Sequence, residues 1–186
     1  GVFGRRMAEN VTRCRGELVL IEDTWGTPVD PQKLEDALKA NPDTKIVAFV
    51  HAETSTGVES DAKLLTEIAH RHGALAIVDA VTSLTCIPLL VDEWGIDAIY
   101  SGSQKGLSCT PGLSPVSFGE RAIAKIKQRK SPVQSWFMDL NLVMGYWSGE
   151  GKRSGQRAAA AVASAMSEPK DLSAESRARI AREMEK

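Results

Sequence analysis

The chain has 186 residues, with 23 Lys and Arg against 24 Asp and Glu, giving a net charge of −1. That is the length of one domain, and the balanced charge argues against a nucleic-acid polyanion as partner. No run is long and apolar enough to read as a membrane helix, no signal-peptide pattern opens the chain, and Cys14, Cys86 and Cys109 lack metal-like spacing. The three cysteines read as free thiols in a reducing, intracellular compartment, with cytoplasm, peroxisome and mitochondrion left open.

In chain order, residues 4–11 are helix formers with Met7 and Val11 on one face. Residues 17–22 read as a short strand, broken by Gly26 and Pro28. Asp30-Pro31 opens a helix as N-cap and first-turn proline, with Leu34, Ala37 and Leu38 as its apolar face. Residues 45–50 form a buried strand that ends at His51, and the loop 51–57 offers hydroxyls from Thr54, Ser55 and Thr56. A helix over 61–72 is expected to bury Leu64, Leu65, Ile68 and Ala69 and to leave His70 and His72 on a solvated end. Strands follow over 74–78, 96–100 and 114–118, then a basic-ended helix over 120–127. Segment 131–147 carries Trp136, Phe137, Tyr146 and Trp147. From residue 148 onward the sequence is Ala-rich and charged, with high helical propensity and a thin apolar face, so frayed helices or disorder are expected there. The fold class is α/β, a three-layer sandwich with a mostly parallel sheet.

Two strand exits carry chemistry. The apolar run 74–78 ends on Asp79, and an acid placed after a buried run is costly without a partner. The run 96–100 ends in Ser101-Gly102-Ser103-Gln104-Lys105-Gly106, which puts a single lysine just past a strand. Ligands of open α/β sheets bind outside the carboxyl ends of strands. Pyridoxal phosphate asks for this pair, a lysine for the Schiff base and an acid facing the pyridinium nitrogen. The plainer readings are a solvated loop lysine and an aspartate that caps a helix or holds a loop.

Three segments, His51-Ala52-Glu53-Thr54-Ser55-Thr56-Gly57-Val58, Val78-Asp79-Ala80-Val81-Thr82-Ser83 and Tyr100-Ser101-Gly102-Ser103-Gln104-Lys105, resemble class V pyridoxal-phosphate aminotransferases. The resemblance is to the alanine–glyoxylate, serine–glyoxylate and serine–pyruvate group, and runs in order from Gly1 to about Trp147. Asp92-Glu93-Trp94-Gly95-Ile96-Asp97 and Pro111-Gly112-Leu113-Ser114-Pro115-Val116 fit the same group. It implies that residues 1–147 are the central part of a PLP-binding large domain and that 148–186 are a divergent tail. It also implies that Lys105 forms the Schiff base and Asp79 faces the ring nitrogen. Phe3 would stack on the ring, Thr54 touch it, Val81 lie beneath it, and Gln104 donate to the phosphate. A core aromatic at a helix entry is an equal reading of Phe3. The implied substrates are a small amino acid (alanine or serine) and a 2-oxo acid (glyoxylate or pyruvate), and the implied assembly is a homodimer without nucleic-acid or membrane partners.

Departures from the pattern matter too. The family's Tyr-His-His-Thr motif, expected after Trp147, is replaced by Ser148-Gly149-Glu150-Gly151-Lys152-Arg153. Neither the family's upstream segment nor its C-terminal domain with a carboxylate-clamping arginine can be matched. The expectation is therefore a fragment that does not complete a transaminase site alone. The alternatives are a catalytically inactive interaction partner and another class V enzyme, such as an aminophosphonate transaminase or a cysteine desulfurase. A desulfurase needs a mobile loop cysteine, whereas Cys109 lies in a Thr-Pro-Gly turn and reads as structural.

Overall fold

The computed structural model describes residues 1–147. The chain divides into two units, residues 1–130 and 131–186. The first unit contains α1 (Val2–Arg13), α2 (Pro31–Ala40), β1 (Ile46–Val50), β2 (Ala52–Glu53), β3 (Val58–Glu59), α3 (Ala62–Arg71), β4 (Leu75–Asp79), β5 (Ala98–Tyr100), β6 (Val116–Phe118) and α4 (Glu120–Lys127). In the second unit, a 3-10 turn at Trp136–Met138 leads into α5 (Leu140–Trp147), with Trp136, Phe137 and Tyr146 exposed.

The main sheet has the order β1-β4-β5-β6. β1, β4 and β5 are parallel, and β6 pairs antiparallel with β5. The fold is the expected α/β arrangement with a mostly parallel sheet. A separate antiparallel hairpin joins β2 to β3 directly after β1. It lies in the hydroxyl-rich loop, where only a turn was expected.

Register decides which side chains meet. Val47 lies beside Ala76, and Phe49 beside Val78 and then Ile99, so these residues share one face. All are buried and join a core with Leu34 and Leu38 of α2 and Leu65, Ile68 and Ala69 of α3. The helices dock because each carries an apolar stripe, and each begins at a working cap. Asp30 accepts from the Gln32 N–H at 2.8 Å, and Asp61 accepts from the Leu64 N–H at 2.9 Å. Leu64 is only partly buried. On the opposite face Ile46 is half exposed, and α4 borders that face where Leu75, Arg121, Ala124 and Lys125 line a concavity of about 300 Å³.

The expected strand at 17–22 is not formed. Leu18, Val19 and Leu20 are exposed and only Ile21 packs against the core. An apolar run makes a strand only when a neighbour takes up the backbone hydrogen bonds, and among the described residues no strand pairs with this segment. The last two strands are shorter than expected, beginning at Ala98 and Val116.

His70 and His72 are also not the solvated end that the helix pattern suggests. His70 Nε2 lies 2.8 Å from Asp97 Oδ2, and His72 Nε2 lies 2.9 Å from Glu35 Oε1. Asp97 is buried and also accepts from the Ala76 N–H at 2.8 Å and from Arg121 at 3.2 Å. Arg121 in turn donates to the Ala74 carbonyl. One buried carboxylate thus fastens α3, β4 and α4 at the entry end of the sheet.

Two stability predictions follow from these carboxylates. Asp97→Ala strips the ionic acceptor from Arg121 and His70 and orphans the buried Ala76 N–H, a loss of roughly 2–4 kcal/mol in denaturant unfolding, whereas Asp97→Asn, which keeps an acceptor, loses less. Hydrogen bonds from His72 and then Arg71 hold the Glu35 carboxyl down to about 2 from its ordinary 4.5. A depressed carboxylate contributes stability that is full above its ordinary pKa and is lost as pH falls through the folded one. Acid titration of unfolding should therefore show a decline between about pH 4.5 and pH 2 that flattens in Glu35→Gln.

Candidate active site at the strand exits

β4 and β5 are parallel neighbours with Asp79 directly beside Tyr100, so both strands end at the same edge. Asp79 is 6% exposed. Its Oδ1 accepts from the Val81 N–H at 2.9 Å, and its Oδ2 accepts from the Tyr100 hydroxyl at 2.8 Å. The first bond tightens the turn that follows β4 and the second locks the carboxylate across the strand pair. Burial, and then the bond to Asp79, pushes the Tyr100 phenol well above its ordinary range, so it stays a donor. A carboxylate offers about four acceptor positions, and these two bonds leave room for a further N–H.

The turn after β5 carries Gln104 and Lys105. It is pinned by Ser103, whose N–H donates to the Leu113 carbonyl and whose hydroxyl donates to the Thr110 carbonyl at 2.6 Å. The Cys109 N–H returns to the Ser103 carbonyl, and the Ser108 N–H closes onto the Lys105 carbonyl. Ser101, buried at the strand end, donates its hydroxyl to the Ala80 carbonyl and stitches this turn to the one after Asp79. Lys105 is half-buried and Gln104 exposed, with the Gln104 amide folded over Gly102. Cys109 is exposed, and its thiol donates to the Leu107 carbonyl at 3.3 Å within the turn.

A third exit belongs to β1. His51 is buried, bonded through its backbone to the Asp79 carbonyl and the Ser60 N–H, and set edge-on to Trp94. Burial lowers its pKa against the pull of Glu59. Thr54 and Thr82 meet hydroxyl to hydroxyl, joining the loops after β1 and β4. Val81 is partly buried beside them.

Phe3 sits in the first turn of α1, with Arg6 stacked 5.2 Å from its ring centroid. The start of α1 is held by Glu53, which accepts from the N–H groups of Phe3 and Gly4. Burial pushes Glu53 upward, but bonds from Ser55 and these amides outweigh it and hold the carboxyl below its ordinary value. An acid at a helix N-terminus meets both the free amides and the dipole.

The structure therefore gathers Asp79, Val81, Thr54, Gln104 and Lys105 at one sheet edge, with Phe3 tied to the same loop through Glu53. Sequence reasoning missed Tyr100, Ser101 and Glu53. The first two are strand-end residues whose partners follow only from the β4–β5 register. Glu53 meets the start of α1 from 50 positions away in the chain, and no local pattern links the two. The buried Ser83 hydroxyl makes no hydrogen bond among the described residues. The donor set fits pyridoxal phosphate. A buried acid retains spare acceptor positions, hydroxyls stand beside it, and an amine lies one strand away. Among the described residues no cluster of His, Cys, Asp or Glu could hold a metal ion, and no helix is long and apolar enough to cross a membrane.

Comparison with known proteins bears on this edge. A family model described as aminotransferase class-V matches residues 7–133. The alanine–glyoxylate aminotransferase of Oryctolagus cuniculus is 37% identical over 152 residues, which are 82% of this chain and 38% of that protein. The (S)-ureidoglycine–glyoxylate transaminase of Bacillus subtilis is 35% identical over 167 residues, 80% of this chain and 40% of that one. The crystal structure of an alanine–glyoxylate aminotransferase from Nostoc sp. superposes with a TM-score of 0.76 at 40% identity, over 80% of this chain and 39% of that one. The chain thus spans about two fifths of the length of these relatives, and across that span it belongs to the class V aminotransferases.

Proposed function

We propose that this chain carries the cofactor-holding centre of a transaminase. The enzyme moves the amino group of a small amino acid, alanine or serine, to a 2-oxo acid such as glyoxylate or pyruvate, and works as a homodimer. The observation that carries the reading is the Asp79–Tyr100 register, which sets a buried, hydrogen-bonded acid and a lysine-bearing turn at one edge of adjacent parallel strands. The names of the relatives, alanine–glyoxylate and ureidoglycine–glyoxylate aminotransferases, support the choice of substrates.

Pyridoxal phosphate, when bound, supplies an electron sink for the electrons left on the substrate Cα as its proton departs. Lys105 would hold it through Nζ, with Asp79 as the acceptor for its ring N–H, Gln104 as a donor to its phosphate, Thr54 beside its ring, Val81 as an apolar floor and Phe3 as a stacking face. Asp79, held in place by the Val81 amide on one oxygen and the Tyr100 hydroxyl on the other, would present its remaining acceptor positions to the ring N–H. The Lys105 amine would also be the base that takes the proton from the substrate Cα. Such a positioned base contributes about 10²–10⁴-fold.

Two substitutions separate these roles. Incubation with pyridoxal phosphate and borohydride should label the Lys105 peptide, as read by mass, and Lys105→Ala should abolish the label; a label that persists removes Lys105 from the role. Asp79→Asn should retain the cofactor but slow exchange of the alanine Cα hydrogen for deuterium by about 10²–10³-fold, because the charge opposite the ring nitrogen is lost. Exchange at the unsubstituted rate would show that Asp79 only holds its own turn.

A further inference from the structure

Besides the Ser101–Ala80 bond, the turn that bears Lys105 approaches the turn after Asp79 closely at Gly106. A side chain at Gly106 would run into the Thr85 hydroxyl and the Leu84 carbonyl oxygen, and would come within 2.6 Å of the Cys86 sulfur. One of these obstacles is backbone, which cannot swing aside as a flexible side chain does. Thr85 holds φ 67°, a left-handed conformation that a β-branched residue rarely adopts. The turn around it is closed by the Leu84 N–H on the Ala80 carbonyl and the Cys86 N–H on the Ser83 carbonyl. A strained, bulky turn therefore faces a residue without a side chain, immediately after the lysine.

We infer that residues 84–86 are a backstop for the lysine turn and that Gly106 is a positioning residue, which sets where Lys105 stands by letting its backbone seat against Thr85 and Cys86. The inference rests on the reading of Lys105 as the cofactor lysine. Its physical core is a steric match, in which bulk at position 85 requires its absence at position 106. Strain is kept at functional sites when the surroundings over-determine it, and here the turn hydrogen bonds supply that constraint. Thr85→Gly removes the hydroxyl, relieves the left-handed backbone and frees the Leu84–Thr85 peptide to turn its carbonyl away.

The match is tested by a double-mutant cycle with two readouts. The first is the rate at which pyridoxal phosphate and borohydride label Lys105, resolved by peptide mass. The second uses cofactor-free protein and measures iodoacetamide alkylation of Cys86, an exposed thiol. Gly106→Ala should slow Lys105 labelling by tenfold or more and change Cys86 alkylation by at least threefold. Adding Thr85→Gly should bring both rates back to within about twofold of the unsubstituted protein, a rescue that general damage would not give. Thr85→Gly alone, which overpacks nothing, should speed Cys86 alkylation as the backstop loosens, and this arm decides the matter if Gly106→Ala does not fold. Unchanged rates in Gly106→Ala, or a loss that Thr85→Gly leaves unrescued, overturn the inference. If the unsubstituted protein takes no label at Lys105, the functional reading fails, while the steric match still stands or falls on Cys86 alkylation.

Discussion

The hydrogen bond from the Tyr100 hydroxyl to Asp79 is the contact on which the strand-exit edge depends. It is made across the β4–β5 pair, so it exists only when the two strands are parallel and in this register. A slip of one residue would turn Tyr100 to the opposite face and leave a buried acid with a single donor. The same register carries the Ser101 hydroxyl onto the Ala80 carbonyl. Strand pairing, satisfaction of a buried charge and convergence of two turns are thus one constraint.

Two buried aspartates mark the ends of this strand pair and serve different ends. Asp97 accepts from a backbone amide, an arginine and a histidine, and its place is structural. Asp79 accepts from one amide and one neutral hydroxyl. The first carboxylate is neutralised by cationic or donor groups that tie helices to the sheet. The second has two donors and spare acceptor positions at the edge where loops converge. Burial alone does not tell these two acids apart; their partners do.

Around Asp79 the loops are joined to each other more than to the core. Thr54 meets Thr82, Glu53 holds the first turn of α1, and Gly106 lies against residues 84–86. Each link runs between segments that are distant in sequence and close at one sheet edge. A group bound there would meet surfaces from four separate segments, each set by a different strand or helix. This is the arrangement that α/β folds use to place loops over a rigid frame.

The sequence by itself settled the elements whose pattern is local. Asp30-Pro31 and Asp61 announced two helix starts, and the apolar runs into His51, Asp79 and Ser101 announced three buried strands, one of them ending on an acid. These follow from capping, periodicity and the cost of a charge after a buried run, which a single segment displays on its own. Only the tertiary structure decided what depends on pairing. Residues 17–22 have the apolar run of a strand but, among the described residues, no neighbouring strand to receive their hydrogen bonds. His70 and His72 have the spacing of a solvated helix end, yet each meets an acid from another element. Tyr100 gains its part from a register no local pattern encodes, and Gly106 from a turn some twenty positions away in the chain. Local propensity fixes where a side chain lies along its own segment; the partner across the sheet fixes what that side chain can do.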